Sequence, residues 1–180
     1  MSNDELKVAI IQMCATNDKE KNVETIEKLL TSEESKSADL VVLPECCNFR
    51  RLKKEPIKVE TIPGPTTDRI AALAITHQQY ILIGSIFEES EEVGKAYNTS
   101  ILINPMGDIQ ATYRKVHLFN AIVGGVRLFE SDYFISGTEP QISQIKNFKI
   151  GFSICYDLRF PEFYRYYFKN DVDILCIPSS

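Results

Sequence analysis

Short apolar runs alternate with longer polar segments along this chain. Runs of five to eight residues that are rich in β-branched side chains are typical of buried strands. We predict strands on this basis over residues 6–13, 39–43, 80–87, 97–104, 108–113, 149–154 and 173–177. Apolar side chains at helical spacing predict helices over about 17–35, 66–77 and 161–168. Asn17 or Asp18 is the expected cap of the first helix, and Thr66 or Thr67 that of the second.

The order of these elements predicts the fold class. The first strand, helix and second strand form a βαβ unit, and their near-continuous apolar strands indicate a parallel pair covered on both faces. The Pro-Met-Gly turn at 105–107 predicts an antiparallel hairpin between the fourth and fifth strands. We therefore expect an α/β protein with a mixed sheet and helices on at least one face. Residues 116–138 fit neither pattern and are predicted to form a long, shaped loop, which in a compact domain is usually functional.

Composition and charge narrow the classes of protein that remain. The 180 residues carry a formal net charge of −5. Binding to nucleic acid requires clustered Lys and Arg, so this acidic balance argues against a nucleic-acid partner. The short basic runs at 50–51 and 53–54 are expected to belong to a solvated loop. No apolar run is long enough to span a membrane, and the polar residues 1–5 do not resemble a signal peptide. Five scattered Cys and two His favour neither a disulfide framework nor a metal site, which indicates a reducing, cytoplasmic compartment.

Three residues with reactive side chains directly follow predicted strands. They are Glu45, Lys115 and Cys155, and side chains at the carboxyl ends of strands in α/β sheets often converge on one site. A thiol nucleophile needs a base, for which a carboxylate is available, and the oxyanion formed in acyl transfer needs donors. Lys115 and the backbone N–H of Tyr156 could supply these donors, and amides near the helix at Pro161 could favour the thiolate. The same residues could also be a surface acid, a solvated lysine and an inert buried thiol.

At these residues the chain resembles the nitrilase, or carbon–nitrogen hydrolase, superfamily. The resemblance rests on VVLPECCNF around Glu45, YRKVHLF around Lys115 and GFSICYDLRFPEFYR around Cys155, with support from LKVAIIQM, PGPTTDRIAALA and YNTSILINPMGDI. It implies an α-β-β-α sandwich, a Glu base, an assisting Lys and a Cys nucleophile, with no metal or organic cofactor. It also implies that Glu130 is a second catalytic acid that orients Lys115 or the substrate.

Several neighbouring residues have alternative roles. His117 could replace Glu45 as the base, as in papain-like enzymes, whereas Asp157 and Arg159 are expected to pair and fix the turn at the nucleophile. Arg50 or Arg51 could hold a substrate carboxylate or lie at the surface. Cys46 and Cys47 are expected to line the pocket wall and not to form a redox pair.

The motifs look most like those of the ω-amidase branch, which hydrolyses small ω-amides of 2-oxo dicarboxylic acids such as 2-oxoglutaramate. Residues 49–53 depart from that branch, and the family domain continues beyond the strand at 173–177, so we expect 1–180 to be a C-terminally truncated domain. A strand that is apolar on both faces, without cover, predicts an unpaired edge and an exposed apolar patch. The expected partners are a small amide and further copies of the chain in a homodimer or larger homo-oligomer. The alternative function is that of an inactive homologue that only binds or dimerises.

Overall fold

The computed structural model describes residues 5–52 and 55–180. The helices are α1 (Lys19–Leu30), α2 (Glu33–Lys36), α3 (Pro65–His77) and α4 (Pro161–Lys169). The strands are β1 (Val8–Ile10), β2 (Leu40–Val42), β3 (Tyr80–Glu89), β4 (Ala96–Ile103), β5 (Ile109–Arg114), β6 (Asn120–Val123), β7 (Val126–Phe129), β8 (Ile142–Ile145), β9 (Phe148–Phe152) and β10 (Ile174–Cys176). Two 3₁₀ helices cover Glu130–Asp132 and Cys155–Arg159. Residues 1–4, Lys53 and Lys54 lie outside the described part, and with them part of the predicted basic loop.

Five strands form the larger sheet, in the order β1-β2-β3-β4-β5. β1 and β2 are parallel, as the βαβ pattern predicted, and β4 and β5 are antiparallel, as the Pro-Met-Gly turn predicted. β3 is parallel to β2 and antiparallel to β4. A smaller sheet has the order β10-β9-β8, with β10 parallel and β8 antiparallel to β9. Within the described residues the fold is therefore the mixed α/β architecture that we expected.

The prediction of a long loop over 116–138 was wrong in part. Strands β6 and β7 lie inside this segment and pair as a separate antiparallel hairpin. Gly124 and Gly125 form its two-residue turn, and both have positive φ angles, of 56° and 77°, which such turns require. The hairpin strands are short, mixed in polarity and mostly exposed, so they lack the alternation that identifies a half-buried strand. Strand β8 was not predicted because its four residues, Ile142–Ile145, are few and mixed in polarity, although most are at least half-buried.

Two helix boundaries also differ from the prediction. Helix α1 begins after Asp18, whose side chain accepts a hydrogen bond from the N–H of Lys21, but it ends at Leu30. Ser32 then caps the separate short helix α2. Helix α3 has Gly64, and not Thr66 or Thr67, at its N-cap. Pro65 occupies the first helical position, where a missing N–H is tolerated, and the Thr67 hydroxyl accepts from the N–H of Gly64 at 2.7 Å.

The buried side chains form two main layers on opposite faces of the larger sheet. On one face the sheet packs against α1 and α3 through Ile26, Leu30, Ile70 and Ala74, which contact alternate strand residues such as Val41, Ile81 and Ile101. On the other face Leu40, Leu82, Leu102 and Tyr113 pack against Ile150 and Phe152 of the smaller sheet. Tyr167 of α4 covers the outer face of that sheet and donates to the carbonyl of Phe152. The result is an α-β-β-α sandwich.

An apolar groove lies between the edge strands β1 and β10. It has a volume of about 970 Å³, and Glu45, Arg50 and residues 177–180 are among its lining residues. Ile10 is 81% exposed and Leu175 is 42% exposed there, and among the described residues β10 pairs only with β9. The expected unpaired edge and apolar patch are therefore present in this part of the chain. Across 5–52 and 55–180, no helix combines the length and apolar character needed to cross a membrane.

Candidate active site

Glu45 lies in a turn that follows β2, and the neighbouring strand β3 has an irregularity where this turn packs against it. The pairing of β3 with β4 shifts register around Gly84 and Ser85, and the backbone of Pro44 comes so close to Gly84 that any Cβ there would clash with its carbonyl oxygen. The Ser85 hydroxyl accepts a hydrogen bond of 2.9 Å from the N–H of Cys46. Cys46 has a positive φ of 54°. A bulge in β3 therefore holds the turn in place, and the turn includes a backbone conformation that residues other than glycine rarely adopt.

Lys115 follows β5 and is fixed through its backbone on both sides. Its N–H donates to the carbonyl of Asn98 in β4 at 2.9 Å, and its own carbonyl accepts from the N–H of Gly137 at 2.8 Å. Gly137 packs so closely against the carbonyl of Arg114 that a larger residue would clash there. The Lys115 side chain, at 1% exposure, is thereby directed into the protein.

The ammonium of Lys115 bridges two carboxylates. Its Nζ lies 3.1 Å from Oε1 of Glu45 and 3.0 Å from Oε1 of Glu130. The side-chain Nδ2 of Asn98 also donates to Oε1 of Glu45, at 3.0 Å. The other oxygen of Glu130 accepts from the N–H of Phe119 at 2.7 Å. The structure thus brings Glu45, Lys115 and Glu130 together, and it assigns Glu130 a position in contact with the lysine.

The charge of Lys115 is maintained although the side chain is buried. Burial by itself would lower the pKa of the ammonium, but the charges of Glu45 and Glu130 outweigh that effect and raise the pKa above its ordinary value. Lys115 is therefore a permanent cation in the physiological pH range. A fixed cation in a site with little water stabilises developing negative charge more strongly than one in solution.

Cys155 begins the 3₁₀ helix that follows β9 and has a positive φ of 47°. Its N–H donates to the carbonyl of Pro178 at 2.9 Å, which fixes the turn against the chain after β10. Burial, and then the nearby charge of Glu45, raise the pKa of its thiol, against a smaller lowering by Lys115. The backbone N–H of Ser180 also lowers this pKa, but the combined effect leaves it above its ordinary value. The expected contribution of amides near Pro161 stays a prediction. The charges that act on this thiol are those of Glu45 and Lys115, so the structure brings all three predicted residues into one site.

Asp157 fixes the turn at Cys155, but it does not do so by pairing with Arg159. Its fully buried carboxylate accepts from the N–H of Ile154 at 2.9 Å and from the hydroxyl of Tyr113 at 2.6 Å. Its other oxygen lies 2.9 Å from the N and 2.8 Å from Nδ1 of His117. The predicted Asp157–Arg159 pair is wrong because donors from Ile154, from Tyr113 of β5 and from His117 in the loop after β5 already occupy both oxygens.

The predicted place of Cys46 and Cys47 in the pocket wall is wrong for Cys47, which is fully buried, whereas Cys46 is half-buried in the turn beside Glu45. Cys47 belongs to the core between the larger sheet and its helices, and Cys46 packs beside Phe49 and Phe87. Burial raises the pKa of the Cys47 thiol to about 12 and that of Cys46 well above its ordinary value. All five cysteines are free thiols in the structure.

An aromatic recess of about 740 Å³ adjoins Glu130. We use this name for the cavity lined by Arg51, Leu52, Phe87, Phe119, Gly125, Val126, Arg127, Leu128, Phe129, Glu130, Asp132, Tyr133 and Phe134. The guanidinium of Arg51 stacks on Tyr133, 3.7 Å above the ring centre, whereas Arg127 is paired with Asp132. Phe119 also contacts the ring of Tyr156, at 5.0 Å between centres. Arg50, the other candidate cation, is exposed and faces the groove beside β1.

Sequence reasoning missed Gly84, Ser85, Asn98 and Tyr113, which hold the site without performing chemistry themselves. Asn98 inside the predicted strand YNTSILI is a usable signal, because an amide that is buried in a strand requires a partner. The described residues contain no group of three or more His, Cys, Asp or Glu side chains arranged to hold a metal ion.

Comparisons with known proteins agree with this architecture. The chain is 34% identical over 176 residues to an omega-amidase NIT2 of Xenopus tropicalis and 37% identical over 179 residues to a deaminated glutathione amidase of Synechocystis. These matches cover 97% and 96% of the chain but 63% and 65% of the relatives, so the chain spans about two thirds of their length.

Solved structures show the same fold. The chain superposes on the Caenorhabditis elegans NitFhit protein with a TM-score of 0.82 and 29% identity, over 97% of the chain and 44% of that protein. The TM-score with Saccharomyces cerevisiae Nit3, a member of the nitrilase superfamily, is 0.78, also at 29% identity and covering 97% and 64% of the two chains. The family model for carbon-nitrogen hydrolases matches residues 7–180. The chain therefore belongs to the carbon–nitrogen hydrolase family of the nitrilase superfamily.

Proposed function

We propose that this carbon–nitrogen hydrolase domain is a thiol-dependent amidase that cleaves the C–N bond of a small linear amide to an acid and ammonia. The observation that carries the proposal is the convergence of Glu45, Lys115 and Cys155 at the ends of three strands, with the lysine held between two carboxylates. Domain 1–180 is proposed as the N-terminal portion of the family domain, since it spans about two thirds of the relatives' length.

The acylation half of the reaction uses all three residues. Glu45 accepts the Cys155 thiol proton, and the sulfur attacks the amide carbon, forming a C–S bond while the carbonyl electron pair moves onto oxygen. Because the thiol pKa is raised, transfer to the base has to accompany the attack. Lys115 and the N–H of Tyr156 stabilise the oxyanion; the first amides of a helix lack intrahelical acceptors and can donate outward. When the C–N bond breaks, Glu45 returns the proton to nitrogen and ammonia leaves.

The second half regenerates the thiol. Glu45 takes a proton from a water molecule, whose oxygen attacks the thioester carbon. The tetrahedral intermediate then collapses with cleavage of the C–S bond, and the proton on Glu45 passes to the sulfur. Glu130 takes no proton in this scheme: its carboxylate holds Lys115 Nζ at 3.0 Å and so orients the cation. The protein side chains supply nucleophile, base and charge, so the scheme needs no metal or organic cofactor.

As the substrate we propose an ω-amide of a 2-oxo dicarboxylic acid, such as 2-oxoglutaramate. The name of the Xenopus tropicalis relative supports an ω-amide. The aromatic recess beside Glu130 supports an acidic substrate, because Arg51 forms no ion pair with a carboxylate within the described residues, whereas Arg127 is paired with Asp132. Nε of Arg51 donates to the backbone carbonyl of Glu55, which leaves its two terminal nitrogens without a carboxylate partner in this part of the chain. Two such nitrogens, held flat on the ring of Tyr133, are suited to bind a carboxylate with two hydrogen bonds.

Ammonia release tests the proposal. The full-length protein should release ammonia from 2-oxoglutaramate, Cys155→Ala should abolish this activity, and Glu45→Gln should lower kcat at least ~10²-fold, the scale of a lost general base. Cys14→Ala and Cys176→Ala are controls and should retain activity, since one thiol is exposed and the other lies in the core. A larger loss with His117→Ala than with Glu45→Gln would contradict the assignment of the base.

The second candidate function is that of an inactive homologue that binds a full-length relative. The apolar groove between β1 and β10 favours it, since Ile10 and Leu175 are exposed there. Ammonia release by the purified protein would exclude this candidate, whereas an inert protein that co-elutes with an active relative would establish it. We further propose a cytoplasmic homodimer or larger homo-oligomer, on the support of five free thiols and these edge strands. Size exclusion of the purified protein tests the oligomer.

A further inference from the structure

Asn98 is a buried amide directly beside the proposed base. It lies in β4 with 2% of its surface exposed. Its Nδ2 donates to Oε1 of Glu45 at 3.0 Å, and its backbone carbonyl accepts from the N–H of Lys115 at 2.9 Å. A carboxylate can only accept hydrogen bonds, so the nitrogen of the amide, and not its oxygen, faces Glu45. Asn98 therefore contacts both the base and the backbone of the cation.

The two oxygens of Glu45 differ in their surroundings as a result. Oε1 accepts from both Asn98 Nδ2 and Lys115 Nζ, at 3.0 and 3.1 Å. No hydrogen bond from residues 5–52 or 55–180 meeting ordinary distance and angle limits reaches Oε2. Donors on one oxygen reduce its tendency to bind a proton. The oxygen left to accept the thiol proton of Cys155 is therefore Oε2.

We propose that Asn98 is a positioning residue that fixes the rotation of the Glu45 carboxylate and so selects Oε2 as the basic oxygen. This inference rests on the proposed amidase function, in which Glu45 moves the proton between Cys155 and the leaving nitrogen. With Lys115 alone, the carboxylate could turn about its last bond and present either oxygen to the ammonium. The second donor, attached to a different strand, removes that freedom.

The oxygen of the Asn98 amide also indicates that this side chain has a functional role and does not simply fill space. Oδ1 of Asn98 is buried and has no hydrogen-bond partner within the described part of the chain. A buried acceptor without a donor destabilises the folded state, and an apolar side chain at this position would avoid that loss. The side chain is thus suited to deliver Nδ2 to Glu45 and poorly suited to fill space.

Three variants of the full-length protein test the inference. Asn98→Leu keeps much of the volume without the donor, and Asn98→Asp keeps the shape but sets a second carboxylate against Glu45. We expect kcat for ammonia release to fall about 10- to 100-fold in both, as misplaced catalytic groups produce, with KM changed less than about threefold. Asn104→Ala is the matched control: Asn104 caps the turn after β4 through Met106 and Asp108. Its kcat should stay within about twofold of the unsubstituted protein.

Crystal structures of the unsubstituted and Asn98→Leu proteins provide a readout that does not depend on turnover. The Glu45 carboxylate should rotate or occupy two orientations in the variant. An unchanged carboxylate overturns the inference, as does an Asn98→Leu protein with full kcat. If the unsubstituted protein releases no ammonia from any amide, the proposed function fails, yet the carboxylate orientation still decides whether Asn98 positions it. Asn98→Ala replaces Asn98→Leu in both measurements if the leucine variant does not fold.

Discussion

One oxygen of Asp157 lies 2.8 Å from Nδ1 and 2.9 Å from the backbone N of His117. Since a carboxylate has no proton to donate, both nitrogens donate to it. The imidazole also stacks on Phe160, with 3.7 Å between ring centres. Through this contact the loop that carries Lys115 is joined to the turn that carries Cys155, which gives His117 a connecting role in the site.

We predict that Asp157→Asn lowers both stability and turnover. All four groups that approach this carboxylate are donors, so the new amide NH₂ would face donors inside the protein. Leaving buried polar groups unpaired in this way should reduce the free energy of unfolding by about 2 kcal/mol or more. Urea denaturation and ammonia release measure the two effects. Asp173→Asn is the control: within residues 5–52 and 55–180 its carboxylate accepts from the exposed N–H of Lys149 alone, and a loss as large there would contradict the prediction.

Arg51→Ala should change substrate selectivity. Loss of the guanidinium from the aromatic recess removes a charged pair of hydrogen bonds to a substrate carboxylate, so KM for an ω-amide acid should rise about tenfold or more. KM for a neutral amide of equal length should hardly change. Arg127→Ala is the matched variant, since Arg127 lines the same recess but is paired with Asp132. Equal increases in KM for both substrates would rule out a carboxylate contact.

Gly84→Ala should displace the turn of Glu45. The added methyl group would clash with the backbone carbonyls of Leu43 and Pro44, and overpacking of this kind costs about 1–3 kcal/mol. We expect a lower free energy of unfolding together with a marked drop in kcat. Gly94→Ala serves for comparison, because Gly94 has a φ of 83° but no atom within 4 Å of the added methyl. That variant should lose stability from backbone strain while its kcat is unchanged.

Stability should fall as the pH rises into the alkaline range. Burial raises the pKa of Cys47 to about 12 and of Cys176 to about 11, whereas an unfolded thiol ionises near ~8.5. Between these values the unfolded chain binds fewer protons than the folded one, so each thiol removes up to about 1.4 kcal/mol per pH unit. Below pH 8 both states are protonated and these thiols have no effect. Urea midpoints from pH 7 to 10.5 test this, and Cys176→Ala should flatten the alkaline decline.

The elements whose pattern is strong could be predicted from the sequence. The buried strands β2 and β3 are near-continuous apolar runs, and Asp18 gives a clear helix start. The hairpin β6–β7 could not be predicted, because most of its side chains are exposed and no periodicity marks it. The boundary between α1 and α2 depends on Thr31 and Ser32, whose capping bonds interrupt an otherwise helical stretch.

The convergence of the three candidate residues was easier to predict than the contacts that support them. Glu45, Lys115 and Cys155 stand shortly after strands, at positions from which side chains of α/β proteins often converge on one site. The partners of Asp157 come from residues 40 and more positions away in sequence, such as His117 and Tyr113, and local reasoning selected its neighbour Arg159 instead. The raised thiol pKa likewise depends on burial by the whole fold, which an isolated turn does not reveal.

The strand that leads to Cys155 belongs to the smaller sheet, while the strands that lead to Glu45 and Lys115 belong to the larger one. In the proposed mechanism, catalysis therefore depends on how the two sheets pack on each other through side chains such as Leu82 and Phe152. A slip of about 1 Å between them would separate sulfur from base, enough to cost on the order of 10² in rate, while every strand kept its hydrogen bonds. On gentle warming, the rate of ammonia release should therefore fall at a lower temperature than the far-ultraviolet circular dichroism signal. The turnover rate would then report on the packing between the two sheets.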